Sequence, residues 1–322
     1  MSSKFHAAAA SVVLLGLLAL GLGLASEALA QEKKIRIGFQ KSSTLLIILK
    51  GQGTLEKALE PLGVAVEWNE FTSGLPMVEA LNMGHLDLSA DVADTVPLFA
   101  QSAGTEFTYF LQEKPSPTAE GIVVPKDSPA KSTADLKGKK LAVAKASGAH
   151  YLTVVALKKA GLVFGEDVEV NYLQPADART AFESGAVDAW ATWDPFLATV
   201  EITSGARKID DGASTGVSYT RFYPISTPFL RDNPEVAKIV ADELGKIGAW
   251  VKGNPDDAAE LQAPLVGLDI AIVKLGNSRR SYQVAQVDDP AVAEQQKIAD
   301  LFVEEKLLPK PIKVADVPVW KN

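Results

Sequence analysis

Residues 84–90 read GHLDLSA and residues 185–191 read GAVDAWA, and the two agree as Gly, any residue, apolar, Asp, apolar, any residue, Ala. Each follows a short stretch of helical spacing, MVEALNM (77–83) or ARTAFES (178–184), so each glycine marks a helix stop before a strand. The residues upstream repeat the same order. KKIRIGF (33–39) and KKLAVAK (139–145) alternate as strands, while VAVEWNEF (64–71) and DVEVNYL (167–173) are the second strands. Helical segments lie between them, LLIILKGQGTLEKALEPLG in the first copy and the run after SGAH in the second. The pattern predicts one βαβαβ unit used twice, though shared α/β texture alone gives the same likeness. Either way the fold class is α/β in two lobes, each a mostly parallel sheet flanked by helices.

The amino terminus stands apart. MSSKFHAAAASVVLLGLLALGLGLASEALA has one lysine, a long apolar run and a terminal Ala-Leu-Ala, the pattern of a cleavable secretory signal over residues 1–30. The mature chain then begins near Gln31, and no later run is apolar enough to span a membrane. The chain has no cysteine, which excludes a disulfide framework and thiolate metal sites. A net charge of −8 speaks against nucleic acid as a partner. These features fit a periplasmic protein, expected to be monomeric and without a cofactor.

After Tyr223 the pattern turns helical, in NPEVAKIVADELGKIGAWVKG (233–253) and PAVAEQQKIADLFVEEKLL (290–308). Helices without strands of their own must cover an existing lobe, here the first. The crossings then fall near PSPTAE (115–120) and YTRFYPI (219–225), so residues 31–117 with 224–322 form lobe 1 and residues 118–223 form lobe 2.

In open α/β sheets ligands sit beyond the carboxyl ends of the strands, where loops enter helices. Gln40, Lys41 and Ser42 follow the first strand, and backbone N–H groups at such a helix start suit an anion. In the second copy Ser147 is the expected N-cap, Gly148 permits close approach and His150 lies in the first turn, a position that is more often simply surface. Asp94 and Thr95 precede another helix and equally suit a plain cap. In WATWDPF, alternation separates Trp190, assigned to core packing, from Trp193 at the strand end, and Asp194-Pro195 reads as N-cap and first helical residue. Ser147, His150 and an aspartate are a conceivable catalytic triad, but Ser147 sits at a helix start rather than a strained strand-to-helix elbow. Only His85 and His150 remain beyond the signal, with no metal-ligand spacing and no phosphate-binding fingerprint.

Taken together, IRIGFQKSS, LDLSADVADTVPLFAQSAG, DLKGKKLAVAKASGAHYL, PADARTAFESGAVDAWATWDPF and IADLFVEEKLLPKPI resemble the aliphatic-sulfonate-binding proteins of bacterial ABC importers. Taurine, nitrate and thiamine-precursor binders belong to the same broad group. The resemblance implies a type II-like periplasmic binding fold, an alkanesulfonate or related anion as ligand, and a permease in the inner membrane as partner. It also implies a pocket drawn from Gln40 and Lys41, Asp94 and Thr95, Ser147 and His150, and Trp193 with Asp194, with Phe222-Tyr223 at the lobe crossing. Two departures stand out: Val92-Ala93-Asp94 replaces a Thr-Gly-Asp turn, and Ser73-Gly74-Leu75 replaces Ala-Gly-Pro.

Overall fold

The computed structural model describes residues 33–321; the expected signal segment lies outside them. Two mixed sheets form the frame. The first copy of the repeat gives β1 (Lys33–Phe39), β2 (Val64–Glu70) and β3 (Leu88–Ser89), with helices α1 (Thr44–Gln52), α2 (Thr54–Leu59) and α3 (Gly74–Asn82) between them. The second gives β7 (Lys140–Val143), β8 (Glu169–Tyr172) and β9 (Ala189–Trp193), with α5 (Gly148–Lys159) and α6 (Pro175–Glu183). In both, the third strand pairs in parallel with the first, which pairs in parallel with the second.

The repeated aspartate has a structural purpose common to both copies. Asp87 accepts a hydrogen bond from the Arg36 amide at 2.7 Å, and Asp188 accepts one from the Lys140 amide at 2.8 Å. Their own amides donate back to the carbonyls of the same two residues, at 2.9 and 2.8 Å. The carboxylate thus ties the third strand to the start of the first before the ladder begins. The glycine three residues earlier has a left-handed backbone in both, with φ of 71° at Gly84 and 75° at Gly185. The motif is therefore a true duplication of local geometry.

The expectation of mostly parallel sheets holds only for these cores. β4 (Val92–Ala93), β5 (Phe107–Glu113), β11 (Arg221–Ser226) and β12 (Val284–Ala285) add antiparallel pairs to the first sheet, whose order is β12-β5-β11-β3-β1-β2 with β4 beside β11. In the second sheet β6 (Glu120–Val124) and β10 (Arg207–Asp211) do the same, giving β10-β6-β9-β7-β8. Of these, β5, β6 and β11 flank the two crossings, where the chain leaves one sheet and returns to it. The HLDLSAD strand is also shorter than its pattern, because the chain bends at Ala90 and Asp91 into β4.

Helices α10 (Pro234–Gly253) and α11 (Pro255–Val266) pack on α1, and α10 also reaches α2. Helix α13 (Asp289–Glu304) packs on α4 (Thr95–Ser102). Helix α12 (Ile270–Ser278) instead reaches α7 (Phe196–Ser204), across to the second sheet. The short helices α8 (Gly212–Thr215) and α9 (Thr227–Asp232) complete the set. Trp190 packs with Val123, Ala142, Phe182 and Leu197 on one face of the second sheet. Trp193, one strand step out of phase, belongs to the other face with Ala189 and Ala191. Sequence alternation separates these two tryptophans correctly.

Candidate ligand-binding cleft

The carboxyl ends of both repeated units meet along one seam. Thr95 Oγ1, at the start of α4, donates to the carbonyl of Ala146 in the loop before α5 at 2.6 Å. Arg279, after α12, reaches Glu201 of α7 at 2.5 Å and Asp194 at 3.3 Å. Three of the four left-handed non-glycine residues among those described lie here: Ala146, Tyr219 and Tyr282, with φ of 62°, 50° and 52°. Such backbone costs on the order of 1–3 kcal/mol per residue and persists where the surroundings fix it.

The helix start at α5 matches its sequence reading. Ser147 Oγ accepts from the His150 amide at 3.2 Å and donates to the Ala144 carbonyl at 2.7 Å. Gly148 is required by close approach, since a Cβ there would meet the Tyr219 ring at 2.5 Å and the Glu120 carboxyl at 2.6 Å. The amides of Gly148 and Ala149 have no acceptor among the described residues, so this helix start presents two donors.

His150 does not join them. Its ring is fully buried against Phe164, Tyr172 and Phe302, Nδ1 accepts from the Ala146 amide, and Nε2 lies 3.2 Å from the Tyr172 hydroxyl. Burial holds it neutral, with its pKa lowered to about 3. It braces the strained loop from behind, and neither ring nitrogen faces the seam unengaged.

Ser42 is drawn into a buried ionic cluster. Its hydroxyl accepts from Arg221 at 3.0 Å and its carbonyl from Arg280 at 2.6 Å. Arg280 pairs with Asp91 at 2.8 Å and Glu113 at 2.5 Å, and Arg221 pairs with Asp91 at 3.1 Å. Tyr223, placed in the pocket by resemblance, donates instead to Glu113 at 2.7 Å inside this cluster. Although burial pushes Glu113 up, Arg280 and Arg221 outweigh it and hold the carboxylate below its usual range. The cluster fixes the floor of the first lobe.

Asp194 is likewise engaged. Its Oδ1 accepts from the Ala198 amide at 2.9 Å, and Arg279 sits across the seam. Helix α7 begins at Phe196, so Asp194 caps it from one residue further out than the sequence suggests, before a cis bond to Pro195. Burial raises its pKa to about 6 despite Arg279. Asp94 Oδ1 accepts from the Thr95 amide at 3.0 Å, but Oδ2 is buried without a hydrogen-bond partner among the described residues, and burial lifts this group to about 7. Gln40 is buried in the turn before α1, its carbonyl accepting from the Ser43 amide at 2.8 Å.

Lys41 is the exposed member. It lines a cavity of about 350 Å³ with Glu70, Phe71 and Thr72 from the first lobe and Gln174, Pro175, Ala176 and Phe196 from the second. Deeper in the seam, between Ser42, Asp194 and Arg280, only about 10 Å³ is open, no more than one water requires. The described state is closed there. Trp193, cross-strand from Glu120, is buried and packs edge-on at 5.7 Å against Phe196, which lines that mouth.

Sequence reasoning missed Glu120, Tyr219, Arg221, Arg279 and Arg280. A signal existed for three of them: Glu120 opens the otherwise apolar strand EGIVV, and Arg279-Arg280 follow directly on a helix. One string invites a different reading, because Gly212-Ala213-Ser214-Thr215-Gly216 has the letters of a nucleophile elbow. Ser214 instead forms a capping box with Asp211 in α8, and its hydroxyl bonds Asp210 and Asp211, not a histidine.

The NMT1-like family model matches residues 29–263. The crystal structure of the periplasmic aliphatic sulphonate binding protein of Escherichia coli is 36% identical, covers 90% of this chain and 92% of that one, and superposes with a TM-score of 0.80. The alkanesulfonate-binding protein of Xanthomonas axonopodis pv. citri, solved bound to MOPS, is 34% identical over 91% of this chain and 100% of that one, with a TM-score of 0.85. A Bacillus subtilis (strain 168) protein, provisionally named an aliphatic sulfonates-binding protein, is 35% identical over 89% of this chain and 86% of its own. With the family model and whole-length relatives in agreement, the chain belongs to the NMT1-like family, alongside the aliphatic sulfonate-binding proteins.

Proposed function

We propose that this chain is a periplasmic solute-binding protein that captures aliphatic sulfonates between its two lobes and delivers them to the permease of an ABC importer. Residues 31–117 with 224–322 act as one lobe and 118–223 as the other, after removal of residues 1–30 as a signal. The single observation that carries this reading is the pair of unclaimed amides at Gly148 and Ala149, at a helix start whose preceding loop is touched by Thr95 of the other lobe. A sulfonate is ionised at every physiological pH and needs donors. Helix amides supply them without a counter-proton, and the helix dipole adds about 0.3–1 kcal/mol. Each charge-assisted hydrogen bond contributes about 1.5–3 kcal/mol net. A micromolar ligand needs about 8 kcal/mol in all, so a few contacts spanning the seam suffice.

Gly148, Ser147, Thr95, Gln40 and Trp193 are the pocket residues under this reading, with Lys41 attracting the anion at the mouth. Asp194 and Arg279 act as a latch between the lobes rather than as ligand contacts. A ligand touching both lobes prefers the closed state and shifts the population toward it. The protein binds without turning its ligand over, as a monomer and without nucleic acid. Calorimetric titration of a C2–C6 alkanesulfonate series, with taurine, nitrate, a phosphonate and a thiamine-precursor pyrimidine alongside, tests the reading. Saturable one-to-one heat with the alkanesulfonates supports it; preference for another member reassigns the ligand, and silence across the panel rejects the role.

A further inference from the structure

Glu120 brings an unpartnered carboxyl to the start of α5. It is the first residue of β6 and fully buried, and both carboxyl oxygens lack a hydrogen-bond partner among the described residues. Its Oε2 lies 2.6 Å from where a Gly148 Cβ would be, against the first turn of α5 and beside the two unclaimed amides. Trp193 is its cross-strand neighbour.

We propose that Glu120 is a specificity-determining residue of the cleft: as the neutral acid, it donates its O–H to an oxygen of a sulfonate docked on the Gly148 and Ala149 amides. This rests on the sulfonate reading above. An ionised Glu120 would be a buried negative charge facing Asp94 from the start of α4 and Asp211 from the end of β10. Arg221 is the cation within reach, and its guanidinium is already bonded to the Asp91 carboxylate and carbonyl and to Ser42. The phenols of Tyr219 and Tyr151, from the β11 approach and α5, also face this group. Burial first, then the charge on Asp94, push its pKa well above the usual carboxylate range. A buried neutral carboxyl is a far smaller penalty than a buried charge, and it carries one donor.

That donor selects ligand chemistry. The oxygens of a sulfonate only accept hydrogen bonds, so the neutral acid completes the set of donors begun by the helix amides. A carboxylate in the same place would repel the anion and would suit a ligand bearing an ammonium group.

The test is the dissociation constant of butanesulfonate for the wild type, Glu120→Gln and Glu120→Ala, read by calorimetry at neutral pH and then for the first two up to pH 10. The amide keeps a donor, so Glu120→Gln stays within about threefold of the wild type, whereas Glu120→Ala binds about tenfold or more weakly, the value of one charge-assisted bond. Wild-type affinity falls through the alkaline range as the acid ionises, and the Glu120→Gln affinity does not. Should Glu120→Ala fail to fold, that pair of pH profiles decides alone. The proposal is overturned if Glu120→Gln is as weak as Glu120→Ala, or if the two pH profiles are parallel. It is also overturned if taurine binds the wild type more tightly than butanesulfonate and loses that advantage in Glu120→Gln. A wild type that binds no butanesulfonate rejects the sulfonate reading itself, and this assignment with it.

Discussion

Arg279 and Arg280 are adjacent in sequence and serve opposite sides of the molecule. Arg280 turns into the first lobe and joins Asp91 and Glu113 in a buried cluster. Arg279 turns outward and crosses to Asp194 and Glu201 of the second. The two aspartates occupy comparable places, each just beyond the end of a repeated strand. The first lobe has filled that place with ion pairs internal to it, and the second with a contact that the proposed opening of the cleft would break. The difference teaches that an ion pair's worth depends on what separates when it breaks: unfolding in one case, opening of the cleft in the other.

The sharpest way to break the comparison is Arg280→Met. It leaves Glu113 buried without its ion-pair partner and Asp91 with Arg221 alone, and should destabilise folding by about 3–5 kcal/mol in urea titration. A loss below about 1 kcal/mol would show that the cluster is no firmer than its neighbour. Trp190→Ala should cost a similar 3–5 kcal/mol in stability with little change in affinity for butanesulfonate. Trp193→Ala, also a buried residue, should lose stability too but in addition weaken binding about tenfold or more, since it stands beside Glu120 and against Phe196 at the mouth. A loss of stability with affinity untouched would leave Trp193 a packing residue only.

Arg279→Met removes the latch and leaves the buried Asp194 with the Ala198 amide alone, so its stability loss should be about 1.5–3 kcal/mol, below that of Arg280→Met. Its effect belongs in stopped-flow kinetics, as a several-fold faster ligand release with little change in capture. Slower capture with unchanged release would contradict a latch. The smallest effect concerns pH. Asp94 is raised to about 7 in the folded protein, above its unfolded value near 3.8, so its contribution to stability is full below pH 4 and is lost as pH rises through 7. Asp94→Asn should therefore raise the melting midpoint at pH 8 by about 2–4 °C, and the gain should vanish near pH 4. A gain that persists at pH 4 would place its origin elsewhere.

Much of the frame was legible before any coordinates. The motif Gly-x-apolar-Asp-apolar-x-Ala encodes a left-handed glycine, an aspartate clamped to the first strand and an alternating strand. Local rules read all three. The Ser147 cap was legible for the same reason. What sequence could not give was long-range pairing of charge. Arg221 sits in an aromatic stretch and Arg280 after a helix, and nothing local to either announces Asp91, some 130 and 189 residues away. His150 shows the converse: its first-turn position suggested a surface or ligand role, but the aromatic cage that buries it comes from three distant segments. The antiparallel strands at the crossings were equally hidden, because a strand's direction is set by which sheet it returns to, not by its own residues.

The central claim is that an anion is held where the second lobe's helix start meets the first lobe. The most direct measurement is a crystal structure of the protein grown with butanesulfonate. The account predicts sulfonate density within hydrogen-bond distance of the Gly148 and Ala149 amides, with the alkyl chain leading past Trp193 toward the mouth at Lys41. Density confined to the outer cavity at Phe71 and Pro175, with those two amides untouched, would contradict it.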